Sequence, residues 1–202
     1  MNLLILASLI VFSLTLAYML KRTKRKEEEA EQSFWERERQ ANSVRRKSLE
    51  HLNYITIPLE TLPTSLLNDD PTVAECIELL QNLSARSIVN LTGYSNTDLK
   101  LEYGTANITA LSEYDQNYTL LVRTLQKWAD ILLEKNYPQA AETVMEFAVQ
   151  TNTDISRTYY KLAELYAAEG KQDKIDNLIT TAQALRSANK KAIVRTLQES
   201  YR

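Results

Sequence analysis

The sequence predicts an all-α protein with an N-terminal transmembrane helix, a polar stalk helix and a stack of antiparallel helical hairpins. Residues 1–20 contain no charged side chain, although 25% of the 202 residues are charged. Apolar residues recur every three to four positions over most of 71–200, which is the period of an amphipathic helix. Three glycines in the whole chain leave few positions for tight β-hairpins.

The apolar segment 1–20 is expected to be a retained single-pass anchor. A helix over 2–20 would be roughly 28 Å long, close to the ~30 Å thickness of a bilayer's hydrocarbon core. A cleaved signal peptide would need a basic start and a small-residue cleavage site. The chain has no basic residue before position 21, and the apolar run ends in Tyr18, Met19 and Leu20.

A basic cluster follows the apolar segment directly. Because positive charge is retained on the cytoplasmic side, we expect the N-terminus outside and the rest of the chain in the cytoplasm. The same side chains are expected to contact anionic lipid headgroups, at about 1 kcal/mol each. Nucleic acid is not an expected partner, since the cluster lies against the bilayer and the remaining chain is acidic. The cluster consists of Lys21, Arg22, Lys24, Arg25 and Lys26.

Four Asn-x-Ser/Thr triplets favour the opposite orientation. They begin at Asn82, Asn90, Asn107 and Asn117 and fit the acceptor pattern for N-glycosylation. The alternative function is therefore an exported, membrane-tethered, chaperone-like protein beside the secretion machinery. The basic cluster opposes this alternative.

Residues 21–55 are predicted to form the basic juxtamembrane segment and a charged stalk helix. Phe34 and Ala41 have the spacing of a coiled-coil heptad, but Arg37 and His51 occupy other core positions. A solvated stalk is favoured over a self-associating helix. A homodimer joined through this helix, as in structural or cell-division proteins, remains the second alternative.

Residues 56–70 are predicted to be a linker, and 71–202 a single cooperative helical domain. Pro58 and Pro63 punctuate the linker, and Asp70 followed by Pro71 supplies an N-cap for a helix over 71–90. A short helix and a turn are expected within 95–110.

The remaining helices are marked by local signals. Helical periodicity begins near Ser112, and Pro138 is expected to open the next helix. Thr153 or Asp154 is expected to cap a third, and Gly170 to end it in a left-handed turn. Two further helices are predicted over 171–185 and 188–200.

Two segments superpose when the chain is shifted by about 34 residues, a shift that we call the repeat interval. The matching positions keep large apolar residues at helical spacing and a small alanine where two helices approach closely. The aligned pairs are Leu125/Tyr159, Trp128/Leu162, Ala129/Ala163, Leu132/Tyr166, Asn136/Gly170, Ala141/Ile175, Met145/Ile179 and Ala148/Ala182. Residues 122–189 therefore resemble the tetratricopeptide repeat family, with units at 122–155 and 156–189.

This resemblance implies a groove that binds a peptide of a partner protein. The positions that would line it are Arg123, Gln126, Asp130 and Glu134 in the first unit, and Arg157, Tyr160 and Glu164 in the second. They lack the Lys/Asn set with which chaperone-binding members hold a C-terminal carboxylate. The predicted function is a membrane-anchored protein–protein interaction scaffold.

Enzymatic activity is not expected. His51 is the only histidine, and Cys76, the only cysteine, is expected to be a small buried apolar residue. No zinc-protease, nucleophile-elbow or phosphate-loop motif occurs. No cofactor or metal is predicted.

Overall fold

The computed structural model describes residues 3–201, with side chains from residue 7 onward. The predicted all-α class is confirmed, because this part of the chain contains α-helices, a 3₁₀ turn at Thr105–Asn107, and one isolated antiparallel bridge between Tyr54 and Val89. The helices are α1 (Leu3–Ser43), α2 (Pro71–Ser84), α3 (Asn96–Tyr103), α4 (Ile108–Glu134), α5 (Pro138–Gln150), α6 (Ser156–Ala168), α7 (Gln172–Ala184) and α8 (Lys190–Tyr201).

The chain divides into two compact units at points that differ from the predicted ones. The first unit contains the chain up to Lys47 together with Asn96–Asn107. The second contains Ser48–Ser95 together with the residues from Ile108 onward. Residues 96–107, which lie inside the predicted domain 71–202, belong to the unit that contains α1.

The apolar start of the chain forms the first half of α1. Two polar side chains of this half form hydrogen bonds to the helix backbone. Ser13 Oγ donates to the Leu9 carbonyl and Thr15 Oγ1 to the Phe12 carbonyl, each at 2.8 Å. Over the described residues, no helix combines the length and the apolar character needed to span a bilayer, so the predicted transmembrane helix is not supported. Residues 1–2 of the predicted segment, and the side chains of 3–6, lie outside the described part.

Helix α1 ends at Ser43, well before the predicted end of the stalk helix at residue 55. The chain after it turns away because it pairs with the end of α3. The Lys47 amide donates to the Tyr103 carbonyl (3.0 Å), and the buried Asn107 side chain donates to the Lys47 carbonyl (2.8 Å). Gly104 has φ +88°, and a Cβ there would collide with the backbone of Arg45.

Within the first unit, charged side chains join α1 to α3. Glu38 accepts hydrogen bonds from Thr97 Oγ1 and from Lys100 Nζ, the latter at 2.9 Å. These two bonds, that of Thr97 above all, lower the pKa of Glu38 below its ordinary value. Arg37 pairs with Asp98 at 2.5 Å. Besides these polar contacts, the first unit buries Ala41 of α1, at 0% exposed, and Leu99 of α3, at 7%.

The second unit has a continuous apolar core to which the predicted linker contributes. Ile57 and Leu62, inside 56–70, are both 5% exposed and belong to this core. Pro58 and Pro63, which predicted a linker, lie in turns. The segment nevertheless packs against the core. Cys76 is fully buried, as expected.

Helix α2 begins as predicted and ends early. Asp70 Oδ1 accepts from the Thr72 amide at 3.0 Å, and Pro71 occupies the first turn, so the N-cap is confirmed. The helix stops at Ser84, not at residue 90. The Ile88 carbonyl instead accepts from the Ile55 amide (2.9 Å), next to the antiparallel bridge between Tyr54 and Val89.

From α4 onward the helices pack as hairpins. Linkers of three to five residues join α4 to α5, α5 to α6, α6 to α7 and α7 to α8, so consecutive helices run antiparallel. Pro138 opens α5 and Gly170 (φ +69°) follows α6, both as predicted. Neither Thr153 nor Asp154 caps α6. Ile155 precedes that helix, and Thr153 Oγ1 accepts from the Ile155 amide (3.3 Å) just before it.

Candidate protein-binding site

Three helices of the second unit show the same burial pattern, displaced by one repeat interval from each helix to the next. Leu125 on α4, Tyr159 on α6 and Ile193 on α8 are each 0% exposed. The positions one helical turn later are also 0% exposed in all three helices, at Ala129, Ala163 and Leu197. Helix α8 packs against α6 and α7. It therefore continues the register of α4 and α6.

A shared inner face implies a shared outer face. We define the repeat face by five outward residues of α4, together with the residues that follow them by one or two repeat intervals on α6 and α8. The five residues are Arg123, Gln126, Lys127, Asp130 and Glu134. Every predicted groove residue belongs to it. Arg123, Glu134, Arg157 and Glu164 are exposed, and Gln126, Asp130 and Tyr160 are half-buried.

Two polar contacts join α4 to α6 across this face. Arg157 Nε donates to Asp130 Oδ1 at 2.8 Å, and Thr158 Oγ1 donates to Gln126 Oε1 at 2.5 Å. Gln126 Nε2 is buried and has no hydrogen-bond partner within the described residues. Asp130 and Gln126 thus hold the two helices together, which leaves less of their bonding capacity for a partner than the sequence implied.

Sequence reasoning missed the part of the face that α8 provides. Lys191 and Arg195 occupy the positions one repeat interval after Arg157 and Lys161, and both are exposed. Applying the repeat interval one further time would have found them. The signal was weak because Ile193 and Leu197 are the buried residues of α8, while Val194 and Tyr201 are only partly buried against the core.

A network of charged side chains joins α5, α6 and α7. Glu142, 8% exposed, accepts from Lys174 Nζ (2.9 Å) and Lys171 Nζ (3.1 Å). Although burial alone would raise the pKa of Glu142, these two hydrogen bonds outweigh it and lower the pKa. Lys174 also lies 4.9 Å from the centre of the Tyr166 ring. The tyrosine hydroxyl donates to Glu146 (2.7 Å).

The charged groups of this network stabilise one another. Each carboxylate in the network already accepts a hydrogen bond or ion pair from a lysine or from Tyr166. Burial, followed by the bond to Glu146, raises the pKa of Tyr166 and keeps it protonated. No cluster able to hold a metal ion occurs within the described residues.

In three of the four glycosylation triplets, the asparagine side chain donates hydrogen bonds within the fold. Asn90 Nδ2 donates to Tyr118 Oη (2.8 Å) and to the Thr151 carbonyl (3.0 Å). Asn107 is 1% exposed, and Asn117, 5% exposed, donates to the Ser87 carbonyl. A glycan on any of these amides would displace its hydrogen bonds. Asn82 is the exposed member of the set.

The predicted membrane-surface residues lie exposed on α1. Lys24 and Arg25 pair with glutamates one turn later, Glu28 at 3.8 Å and Glu29 at 3.3 Å. These are surface pairs of at most about 0.5 kcal/mol. Their charge therefore remains available, as does that of Lys21, Arg22 and Lys26, which have no ion pair within the described residues.

Comparisons with protein-family models, curated proteins and solved structures each find no match to the chain.

Proposed function

We propose that the protein is a membrane-anchored interaction scaffold whose repeat face binds a partner protein. The observation that carries the proposal is the repeated register of α4, α6 and α8, in which Leu125, Tyr159 and Ile193 are all buried. Helices in register present equivalent outward positions side by side. Such a surface suits an extended or helical segment of another protein, as the resemblance to tetratricopeptide repeats implies.

Anchoring through the start of α1 is supported by composition and by exposure. Residues 1–20 carry no charge, and the large apolar side chains described between Leu9 and Leu20 are 46–66% exposed. Exposed apolar surface of this extent on one helix needs a cover, which a bilayer would supply. An anchor would raise the effective concentration of any partner at the same membrane.

A cytoplasmic location of the second unit is part of the proposal. It is supported by the basic cluster from Lys21 to Lys26, since positive charge is retained on that side. The use of Asn90, Asn107 and Asn117 in hydrogen bonds weakens the main reason to place the unit outside the cytoplasm.

Two experiments on the full chain in cells test these points. For orientation, Asn68→Cys is introduced into a Cys76→Ala background and exposed to a membrane-impermeant maleimide. Asn68 is exposed. Protection until lysis supports the cytoplasmic location, whereas labelling of intact cells contradicts it. The fully buried Cys76 gives little background even when it is present.

For the repeat face, a photoreactive amino acid replaces Tyr160, and the matched control replaces Asn177, an exposed residue of α7 outside the face. A discrete crosslinked protein from position 160 and none from 177 supports the scaffold. Equal crosslinking from both positions, or none from 160, contradicts it.

Self-association through α1 is a second candidate, favoured by one observation. Phe34 and Trp35 are 54% and 56% exposed and stack edge to face with ring centres 5.3 Å apart. An exposed aromatic pair of this kind is typical of contact surfaces. Glu36→Cys in the Cys76→Ala background should then form a disulfide-linked dimer under mild oxidation. A strictly monomeric product removes this candidate.

A further inference from the structure

Six basic side chains occupy two positions of the repeat face, and both positions recur in all three helices. The first row is Arg123, Arg157 and Lys191, and the second, one helical turn later, is Lys127, Lys161 and Arg195. Five of the six are exposed, and Lys161 is half-buried. No other position of the face keeps one sign of charge through three helices: the row at Asp130 continues as Glu164 and then Gln198.

Three of the six cations already have a carboxylate partner in the part of the chain that the structure describes, and three do not. On α4 and α6, Lys127 pairs with Glu75 (2.7 Å), Arg157 with Asp130 (2.8 Å) and Lys161 with Glu164 (2.8 Å). Within the described residues, no carboxylate lies within ion-pair distance of the other three, Arg123, Lys191 and Arg195.

Uncompensated charge is greatest at the α8 end of the face. The sequence has no acidic residue between Asp176 and Glu199, and over that interval it carries Arg186, Lys190, Lys191 and Arg195. Cations left without partners on an otherwise ion-paired surface are available to an external anion. The α8 end is therefore where a bound anionic group would gain most.

We propose that the repeat face binds an acidic, extended segment of its partner protein, with Lys191 and Arg195 as the principal contacts. This rests on the proposed function, whose partner class it specifies. Residues one turn apart on a helix are separated by about 6 Å along its axis, and alternate residues of an extended chain by about 6.6 Å. Acidic residues at every second position of the segment therefore match the two rows.

Asp130 competes with that segment for Arg157. Its carboxylate holds the guanidinium by a 2.8 Å hydrogen bond, although the Arg157 side chain is 60% exposed. Removing the carboxylate charge would add the Arg157 guanidinium to the cations that are available to the ligand. Asp130→Asn is accordingly expected to strengthen binding, an effect that simple loss of folding would not produce.

The test uses the full chain in non-ionic detergent and a fluorescently labelled peptide of alternating glutamate and serine. Fluorescence anisotropy measures its dissociation constant. The glutamine–serine peptide is the neutral control, and a single-stranded oligonucleotide of the same net charge tests nucleic acid as the ligand. We expect binding of the glutamate peptide, no binding of the neutral one, and weaker binding of the oligonucleotide.

Three charge changes then locate the site. Arg195→Glu and Lys191→Glu should each weaken peptide binding on the order of tenfold, since each change removes a charge-assisted hydrogen bond and adds a repelling carboxylate. The matched control is Arg86→Glu, an exposed cation after α2 and outside the repeat face, which should change the dissociation constant less than about twofold by charge screening over distance. Asp130→Asn should tighten binding.

The outcomes separate this inference from the scaffold proposal. If position 160 crosslinks a partner but the glutamate peptide does not bind, the acidic class is wrong and the scaffold stands. If Arg86→Glu weakens binding as much as Arg195→Glu, the attraction is only net charge and the site is overturned. Tighter binding of the oligonucleotide would replace the acidic segment by nucleic acid. Circular dichroism of each variant confirms that its helices are intact.

Discussion

Asn136 and Gly170 lie one repeat interval apart and adopt the same left-handed backbone conformation, with φ of 62° and 69°. The residue after each donates its amide across the turn in the same way. Tyr137 donates to the Leu132 carbonyl (2.8 Å), and Lys171 to the Tyr166 carbonyl (2.9 Å). The repeat therefore extends from the packed helices to the hydrogen bonds of the turns between them.

An exchange of these two turn residues should be tolerated. Glycine and asparagine both adopt the left-handed conformation readily, whereas alanine there costs about 1–2 kcal/mol. We expect the double variant Asn136→Gly/Gly170→Asn to unfold within a few degrees of the wild type. Asn136→Ala and Gly170→Ala should each lower the melting temperature more, as measured by circular dichroism in detergent. Equal melting temperatures for all three variants would contradict the assigned turn.

Gly93 should tolerate alanine less well than Gly170 does. Both have positive φ, so both pay the conformational cost. A Cβ on Gly93 would lie 2.9 Å from Arg186 Cβ and 3.0 Å from the Arg186 carbonyl, whereas nothing lies within 4 Å of the equivalent atom on Gly170. Because backbone atoms cannot move aside cheaply, we expect Gly93→Ala to cost about 1–3 kcal/mol more than Gly170→Ala, since overpacking has costs of that size.

Thermal unfolding of both variants measures this difference, and Gly170→Ala is the control for the conformational term. Arg186 Nη1 also donates to Tyr94 Oη at 2.5 Å, so the clash would disturb that contact as well. If the two alanine variants have the same melting temperature, the segment around Gly93 does not pack against Arg186 in solution.

Local signals in the sequence predicted individual helices well. Pro138 and Gly170 mark an α5 start and an α6 end that depend only on neighbouring residues, and both were found where expected. The limits at residues 55 and 90 were wrong because they depend on distant partners. The Ile55 amide bonds to the Ile88 carbonyl, and the residues next to either position in the sequence give no signal of this pairing.

The candidate site was predictable to the extent that it repeats. The repeat interval placed Arg123, Arg157 and Glu164 on one face, and the same interval continues to Lys191. The pairing of Asp130 with Arg157 was not predictable, since it depends on the distance between two helices and on side-chain conformation. Which charges of the face are free is consequently a property of the structure alone.

Glu142 is expected to be the most sensitive charged residue of the second unit. It is 8% exposed and bonds to both Lys171 and Lys174, so its removal would take away one of the two carboxylates that pair with each ammonium group. Because the lysines are 37% and 45% exposed, water compensates part of the loss. Glu142→Ala should therefore destabilise the protein by about 1–3 kcal/mol. That corresponds to roughly 2–12 °C in melting temperature for a chain of this size.

The control for Glu142→Ala is Glu164→Ala, which removes the partner of Lys161 in a surface pair of side chains 38% and 61% exposed. Such a pair contributes about 0–1 kcal/mol. Similar melting temperatures for the two variants would show that the network around Glu142 does not hold α5 to α7.

The same carboxylate should make stability depend on pH in the acidic range. The pKa of Glu142 is lowered in the folded state, so its contribution is complete above the ordinary glutamate value of 4.5 and is lost as the pH falls through the folded pKa. In Glu142→Gln this titration is absent. We expect the variant to be less stable than the wild type at pH 7, and the gap between their melting temperatures to shrink steadily below about pH 4.5.

Glu78→Gln, a change at an exposed residue of α2, is the control and should follow the wild type throughout. A gap for Glu142→Gln that stays constant down to pH 3 would mean that the two lysines do not stabilise the ionised carboxylate.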